Sequence, residues 1–333
     1  MRNLRILSAG LFIVLIAASV PGWSSDQKDN VSAIGNRKVA HRSMISEEKE
    51  ITIGKRYAQE IDRSARIIKD PVINEYVNRV AQNVARNSDL KIPLTVKVID
   101  SPDINAFALP GGFLYVNTGL LKAADEEDQL AGVMAHEIAH VAARHWASQM
   151  TKQTILQYAM LPLIFTPMSA AVYYGVMEAY MNGVPLAFLK FTRNDEAEAD
   201  FLGIQYMYKA SYDPNAYVAF FGKIVQEQRS SPGSVPTIFA DHPPTGNRII
   251  KAEKEIETLL PKRDEYLVST SEFNDVKTRL ATVMTLRRKL DKAEGGPTLR
   301  KRAPTTSTTN PNGQPAGSQK PEDDKPPVLQ RRD

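Results

Sequence analysis

The chain has 333 residues, 42% of them apolar, and its 42 Lys and Arg against 38 Asp and Glu leave a formal net charge of +4. That is enough material for one large core or two modest ones, and so small and interleaved a charge argues against nucleic acid as a partner. The lack of any cysteine excludes disulfides, thiolate metal sites and a lipid carried on an N-terminal cysteine.

Two arginines within Met1–Arg5 precede a charge-free apolar run from Ile6 to Val20, which Pro21-Gly22-Trp23-Ser24-Ser25 breaks. The pattern predicts a secretory signal over residues 1–25, with an uncleaved anchor as its alternative. The run is shorter than the about 20 residues of a membrane span. Helical spacing follows over 46–85, with Ile51, Ile53, Tyr57 and Ile61 on one segment, Val72, Tyr76, Val80 and Val84 on the next, and Pro71 between them. Leu94–Ile99 alternates with period two. A second extended run, Ile104–Leu109, turns at Pro110-Gly111-Gly112 into Phe113–Val116, which predicts a small antiparallel sheet.

The acids Asp125, Glu126, Glu127 and Asp128 mark the start of another helix, whose buried side carries Leu130, Val133, Met134, Ile138 and Val141. Gln153 to Met177 has no charge at all. Prolines and glycines interrupt this region, and residues 153–190 are read as a helical lid over a cleft, its apolar surface suited to resting on a membrane or on unfolded protein, with simple core as the alternative. A further helix runs from near Thr192 through Asp200 towards Tyr208, and helical spacing returns at Tyr217–Glu227 and Arg248–Leu260. The last stretch, 295–333, is rich in Pro, Ser, Thr, Asn, Gln and Lys and is predicted to be a disordered tail. The expected class is α+β, mainly helical, with the working domain over 46–285.

The chemistry lies at His136-Glu137-Ile138-Ala139-His140. Two histidines four apart on a helix share a face and can reach one ion, and Glu137 beside them can act as general base on a water that zinc has made acidic. A catalytic zinc takes three protein ligands and keeps one position open. No histidine is spaced to extend the motif, so a carboxylate of Asn194-Asp195-Glu196-Ala197-Glu198-Ala199-Asp200 is the expected third ligand. Glu196 and Asp200 share a face, so one can bind metal while the other accepts a hydrogen bond from a ligand histidine; on residue pattern alone Glu198 competes closely with Glu196. His145 stands five residues after His140, off the ligand face by helical geometry, and is read as structural or supporting, not as a ligand.

These residues, with Arg193 ahead of Glu196-x-x-x-Asp200 and with Asn105–Gly112 and Gly119-Leu120-Leu121 upstream, resemble the M48 family of zinc peptidases over about residues 46–280. The resemblance implies a mainly helical zincin-like (gluzincin) fold and one zinc ion per chain. It makes Glu196 the third ligand and Asp200 the residue that orients a ligand histidine. It also implies quality control of unfolded or misassembled proteins in the bacterial periplasm, with membrane or outer-membrane assembly machinery as a further contact. His242 and Arg248 of Asp241-His242-Pro243-Pro244-Thr245-Gly246-Asn247-Arg248 match another family element. His242 is expected near the metal, in its fourth position or meeting the oxyanion, and Arg248 at the oxyanion or a substrate carboxylate. Asn105–Leu109 is a candidate edge strand for holding an extended substrate. The alternative function is a periplasmic chaperone or assembly factor with a structural or regulatory zinc site.

Overall fold

The computed structural model describes residues 26–164, 169–178, 191–230, 242 and 246–294. The expected signal at 1–25, the expected tail at 295–333 and much of the expected lid lie outside these residues. The chain divides into two compact units, Met1–Leu286 and Arg287–Asp333, and apart from the last turns of the final helix everything described belongs to the first.

Helix α1 (Glu47–Ser64) starts where Ser46 accepts a hydrogen bond from the Lys49 amide and three acids fill the first turn, both of which favour the positive end of a helix. It buries Gly54 and Ala58, packs Ile61 beside Ala58 and leaves Tyr57 48% exposed, so of the predicted apolar side it is Tyr57 that turns outward. The reason is a close approach: a Cβ on Gly54 would stand 1.7 Å from the carbonyl oxygen of Pro110. Helix α2 (Pro71–Arg86) has Pro71 in its first turn and Asp70 accepting from the amides of Val72 and Ile73.

The sheet comprises β1 (Thr95–Ile99), β2 (Ala106–Leu109) and β3 (Phe113–Asn117) in the order β1-β3-β2. It is mixed, where the sequence predicted a wholly antiparallel one: β2 and β3 pair antiparallel, but β3 lies parallel to β1. The chain leaving β1 is too long for a tight hairpin, so it passes over one strand position, which β3 then fills. Gly111 and Gly112 make the β2–β3 turn at φ of +79 and +84, a conformation that disfavours side chains. A Cβ on Gly112 would also meet the Pro93 oxygen at 2.4 Å. Tyr115 packs with Ala58 of α1 on one face of the sheet, while Leu114 and Val116 join the main core on the other.

Beyond α3 (Thr118–Ala123) comes the central helix α4 (Glu127–Ala142), whose residues are all buried except Gln129. A helix buried on every side lies in the middle of a core, and α4 is packed by α2, the sheet, α7 (Arg193–Lys209) and α8 (Asn215–Ser230). Its small residues permit this, as does Gly203 of α7, where a Cβ would stand 3.2 Å from the His136 amide nitrogen. Helices α5 (His145–Ile164) and α6 (Ala170–Glu178) cover the charge-free region and expose Ile155, Leu156, Tyr158, Val172, Tyr173 and Tyr174. None of the described helices is long and apolar enough to cross a membrane. The first unit is closed by α9 (Gly246–Leu259) and α10 (Ser271–Glu294), the latter not anticipated from the sequence.

Two buried polar networks pin these elements. Asp89 accepts from Arg37 Nε at 3.0 Å and from Tyr206 at 3.0 Å; Glu127 accepts from Tyr76 at 2.7 Å, Tyr212 at 2.9 Å and Thr270. Next to Glu127, buried Asp128 has no hydrogen-bond partner for Oδ1 among the described residues. Burial, with repulsion from Asp213 and Glu126, raises its carboxyl from 3.8 to about 7 against the pull of the Gln129 amide. The folded state therefore holds this proton more tightly than the unfolded chain, and the group costs stability as pH climbs from about 4 to 7. Asp128→Asn is expected to raise the melting temperature at pH 8 and leave it nearly unchanged at pH 4, as thermal unfolding at the two pH values will test.

Candidate metal centre

Helix α4 presents His136, Glu137 and His140, and α7 brings up Glu196, Glu198 and Asp200. The start of α7 is held by a reciprocal cap, the Thr192 hydroxyl accepting from the Asp195 amide while Asp195 accepts from the Thr192 amide. Gln149 of α5 also donates to Asp195 at 3.0 Å. That cap sets Glu196 in the first turn, aimed at α4.

His136, His140, Glu196 and His242 converge, all buried, with one donor atom from each within 4.8 Å of the others. The Nε2 atoms of His136 and His140 are 3.1 Å apart, and Glu196 carboxylate oxygens lie 3.5 and 3.6 Å from them. His242 Nδ1 is 3.4 Å from His136 Nε2 and 2.8 Å from Glu196 Oε1. Ligands about 2.0–2.2 Å from a tetrahedral zinc stand about 3.3–3.6 Å from each other; His136, His140 and Glu196, at 3.1, 3.5 and 3.6 Å, come close to that spacing, while His242 at 2.8 Å from Glu196 stands at hydrogen-bond distance. The electrostatics agree. Burial works against a charged His136, but hydrogen bonds to Asp200 and Glu196 outweigh it and raise the imidazole to about 9. Glu196, despite its burial, is held well below the usual carboxylate range by His136 and His242. His140, by contrast, is held well below its ordinary value by burial and by the imidazoles of His136 and His145, so it stays a neutral donor.

Around it the other candidates take distinct places. His136 Nδ1 lies 3.0 Å from Asp200 Oδ1, the geometry of a histidine whose ligating nitrogen is oriented by a carboxylate. Asp200, buried, is lowered to about 2, chiefly by Arg248. Arg248 grips it through Nε at 2.7 Å and Nη2 at 2.6 Å, and also reaches Glu196 Oε2 at 3.0 Å. Glu137 points its Oε2 at the amide of Ala108 in β2, 3.0 Å away. Its Oε1, 3.3 Å from His242 Nε2, has no hydrogen-bond partner among the described residues, and burial raises its pKa.

Sequence reasoning overlooked Tyr217, which donates to Asp200 and lies 3.4 Å from His136 Nδ1, and Phe191, which stacks on His140 with ring centroids 4.1 Å apart. Neither carries a motif; Tyr217 is one apolar-face position of α8 among several. His145 is also nearer the centre than helical geometry predicted. Helix α4 ends at Ala142, and Arg144 takes a left-handed φ of 56, which turns the chain so that His145 Nδ1 meets His140 Nδ1 at 2.9 Å. Glu198, the competitor for the third ligand, faces away from the four donors and pairs with His145, His41 and Lys28.

Comparison with known proteins gives a consistent picture. The model of peptidase family M48 matches residues 71–256. The chain is 30% identical over 264 residues to the beta-barrel assembly-enhancing protease of Escherichia coli (strain K12), covering 77% of this chain and 54% of that protein. It is 33% identical over 192 residues to the mitochondrial metalloendopeptidase OMA1 of Schizosaccharomyces pombe, 57% of this chain and 55% of that one. Over 202 residues it is 31% identical to the mitochondrial metalloendopeptidase OMA1 of Danio rerio, 57% of this chain and 41% of the relative. The chain thus spans about half the length of the curated relatives it matches.

Proposed function

This chain belongs to peptidase family M48, and on that footing we propose that it is a zinc-dependent endopeptidase acting on unfolded or misassembled proteins of the bacterial envelope. The observation that carries the reading is the cluster of His136, His140 and Glu196 at zinc-ligand spacing with the buried carboxylate of Glu137 beside it. His136, His140 and Glu196 would hold the zinc, which when bound would supply an acidified water and a Lewis acid for the scissile carbonyl. Glu137 Oε1 takes the proton from the attacking water and returns it to the leaving amine, a task suited to a carboxyl whose burial has raised its pKa. Asp200 fixes His136, and Arg248 acts through Asp200 and Glu196; to meet an oxyanion or a substrate carboxylate it would have to give up one of these.

Strand β2 is an edge of the sheet, and its Ala108 amide already points at Glu137, so an extended substrate added along this edge would lie beside the catalytic carboxylate. Activity on proteins of the envelope draws on the leader-like pattern of residues 1–25 and on the assembly role in the name of the E. coli relative. The apolar side chains exposed by α5 and α6 suit contact with unfolded outer-membrane protein or with a membrane surface. Zinc content and cleavage of casein or unfolded porin by the purified chain test the reading: one zinc with cleavage supports it, one zinc without cleavage favours a chaperone or assembly factor, and no zinc refutes both.

His242, 3.4 Å from His136 Nε2 and 2.8 Å from Glu196 Oε1, stands where a working zinc keeps a position for water. His242 therefore has to withdraw for catalysis, and His242→Ala is expected to raise peptide cleavage several-fold with zinc content unchanged. A fall in cleavage would instead assign His242 to stabilising the oxyanion.

A further inference from the structure

The two histidines that face each other across the centre are supported differently. His136 Nδ1 meets a carboxylate directly, Asp200 at 3.0 Å. Among the described residues His140 Nδ1 meets no carboxylate; it meets the ring of His145, Nδ1 to Nδ1, at 2.9 Å. His145 is 0% exposed. Its other nitrogen, Nε2, lies 3.3 Å from Glu198 Oε2. The same carboxylate is met by His41 Nε2 at 2.7 Å and by Lys28, both from the stretch ahead of α1.

Proton bookkeeping leaves one arrangement. If His140 gives its Nε2 lone pair to zinc, which rests on the reading above, its Nδ1 carries the hydrogen. His145 Nδ1 must then be an acceptor, so its hydrogen sits on Nε2 and points to Glu198 Oε2. We infer that His145 and Glu198 form a positioning relay for the zinc ligand His140: a carboxylate acting through one intervening imidazole does for His140 what Asp200 does directly for His136. The chain accordingly spends the three acids of its Glu196-Ala-Glu198-Ala-Asp200 segment on three different atoms of one centre. The left-handed Arg144, held by Glu50 at 2.8 Å and the Ile45 carbonyl at 2.7 Å, is what folds His145 back into the relay.

His41, His145 and Glu198 could themselves hold a metal by proximity. A cation on His145 Nε2 would put the hydrogen on Nδ1, against the hydrogen of His140 Nδ1 at 2.9 Å. The relay and a second metal ion exclude each other while zinc is on His140, so metal stoichiometry separates them.

The experiment compares zinc affinity by chelator competition, and the visible spectrum of the Co2+-loaded protein, for wild type, His145→Leu, His145→Asn and Glu198→Ala. Outer partners of metal-bound histidines are worth about 10–100-fold in metal affinity. His145→Leu should lose that much and shift the Co2+ spectrum. His145→Asn, which restores an acceptor near the position of Nδ1, should recover most of the affinity, a rescue that a packing role would not produce. Glu198→Ala, more exposed, should weaken zinc less and covers the case in which His145→Leu does not fold. Wild-type affinity and spectrum in His145→Leu, or in Glu198→Ala should that variant alone fold, would overturn the relay. So would two zinc ions per wild-type chain falling to one in His41→Ala. If wild type binds no zinc, the zinc-peptidase reading fails and the relay with it; if wild type binds one and the variants match it, the relay alone fails.

Discussion

Glu137→Gln is expected to reduce cleavage of an unfolded protein by about 10²–10⁴-fold, the range for loss of a general base, while one zinc per chain remains. The substitution keeps the size of the side chain and an oxygen for the Ala108 amide, which now bonds Oε2 at 3.0 Å, so β2 stays in place. It removes the one thing a glutamine cannot supply, a basic oxygen at the position of Oε1. Zinc analysis and cleavage assays on the same preparations decide the matter. Loss of zinc together with activity would make Glu137 a ligand or a structural support, and undiminished cleavage would place the base elsewhere.

Glu196→Gln is expected to abolish zinc binding at metal concentrations that saturate Glu198→Ala. Glu196 supplies the negative charge among three imidazoles, 3.5 Å from His136, 3.6 Å from His140 and 2.8 Å from His242. Without that charge the remaining donors are neutral, and the Arg248 guanidinium, now 3.0 Å from Glu196 Oε2, loses one of its two counter-charges next to the metal. Circular dichroism of the same samples checks that the helices persist. Zinc retained in Glu196→Gln but lost in Glu198→Ala would reverse the assignment of the third ligand, which residue pattern alone left between these two.

The parts of this centre that could be read from sequence are those held within a single element. His136, Glu137 and His140 fall together because four residues make about one helical turn, and Glu196 and Asp200 share a face of α7 for the same reason. The helix start near Thr192 and the turn at Pro110-Gly111-Gly112 were legible as well, since each is a short-range match between residues and their own backbone, whereas the caps at Ser46 and Asp70 came only with the structure.

What local pattern could not supply is where elements meet. The inward face of α1 follows Gly54 and Ala58 instead of Tyr57, because α1 rides on the backbone at Pro110. The parallel β1–β3 pairing depends on which strand fills the gap between two others. His145 enters the centre only because the helix breaks at Arg144, and a fixed period of 3.6 residues cannot foresee its own interruption. Tyr217 meets Asp200, and Phe191 meets His140, across helix and loop contacts that no spacing encodes.

The sequence by itself thus determined the mainly helical class and pointed to a candidate metal-binding set at His136, His140 and the acids of 195–200, since these rest on periodicity and donor type. The family resemblance already implied Glu196 as a ligand and Asp200 behind a histidine; tertiary structure alone decided which histidine Asp200 meets, His136, and put Glu198 behind His145. A ligand's role is set by distances of about 3 Å between separate helices, and such distances exist only once the core has packed them together.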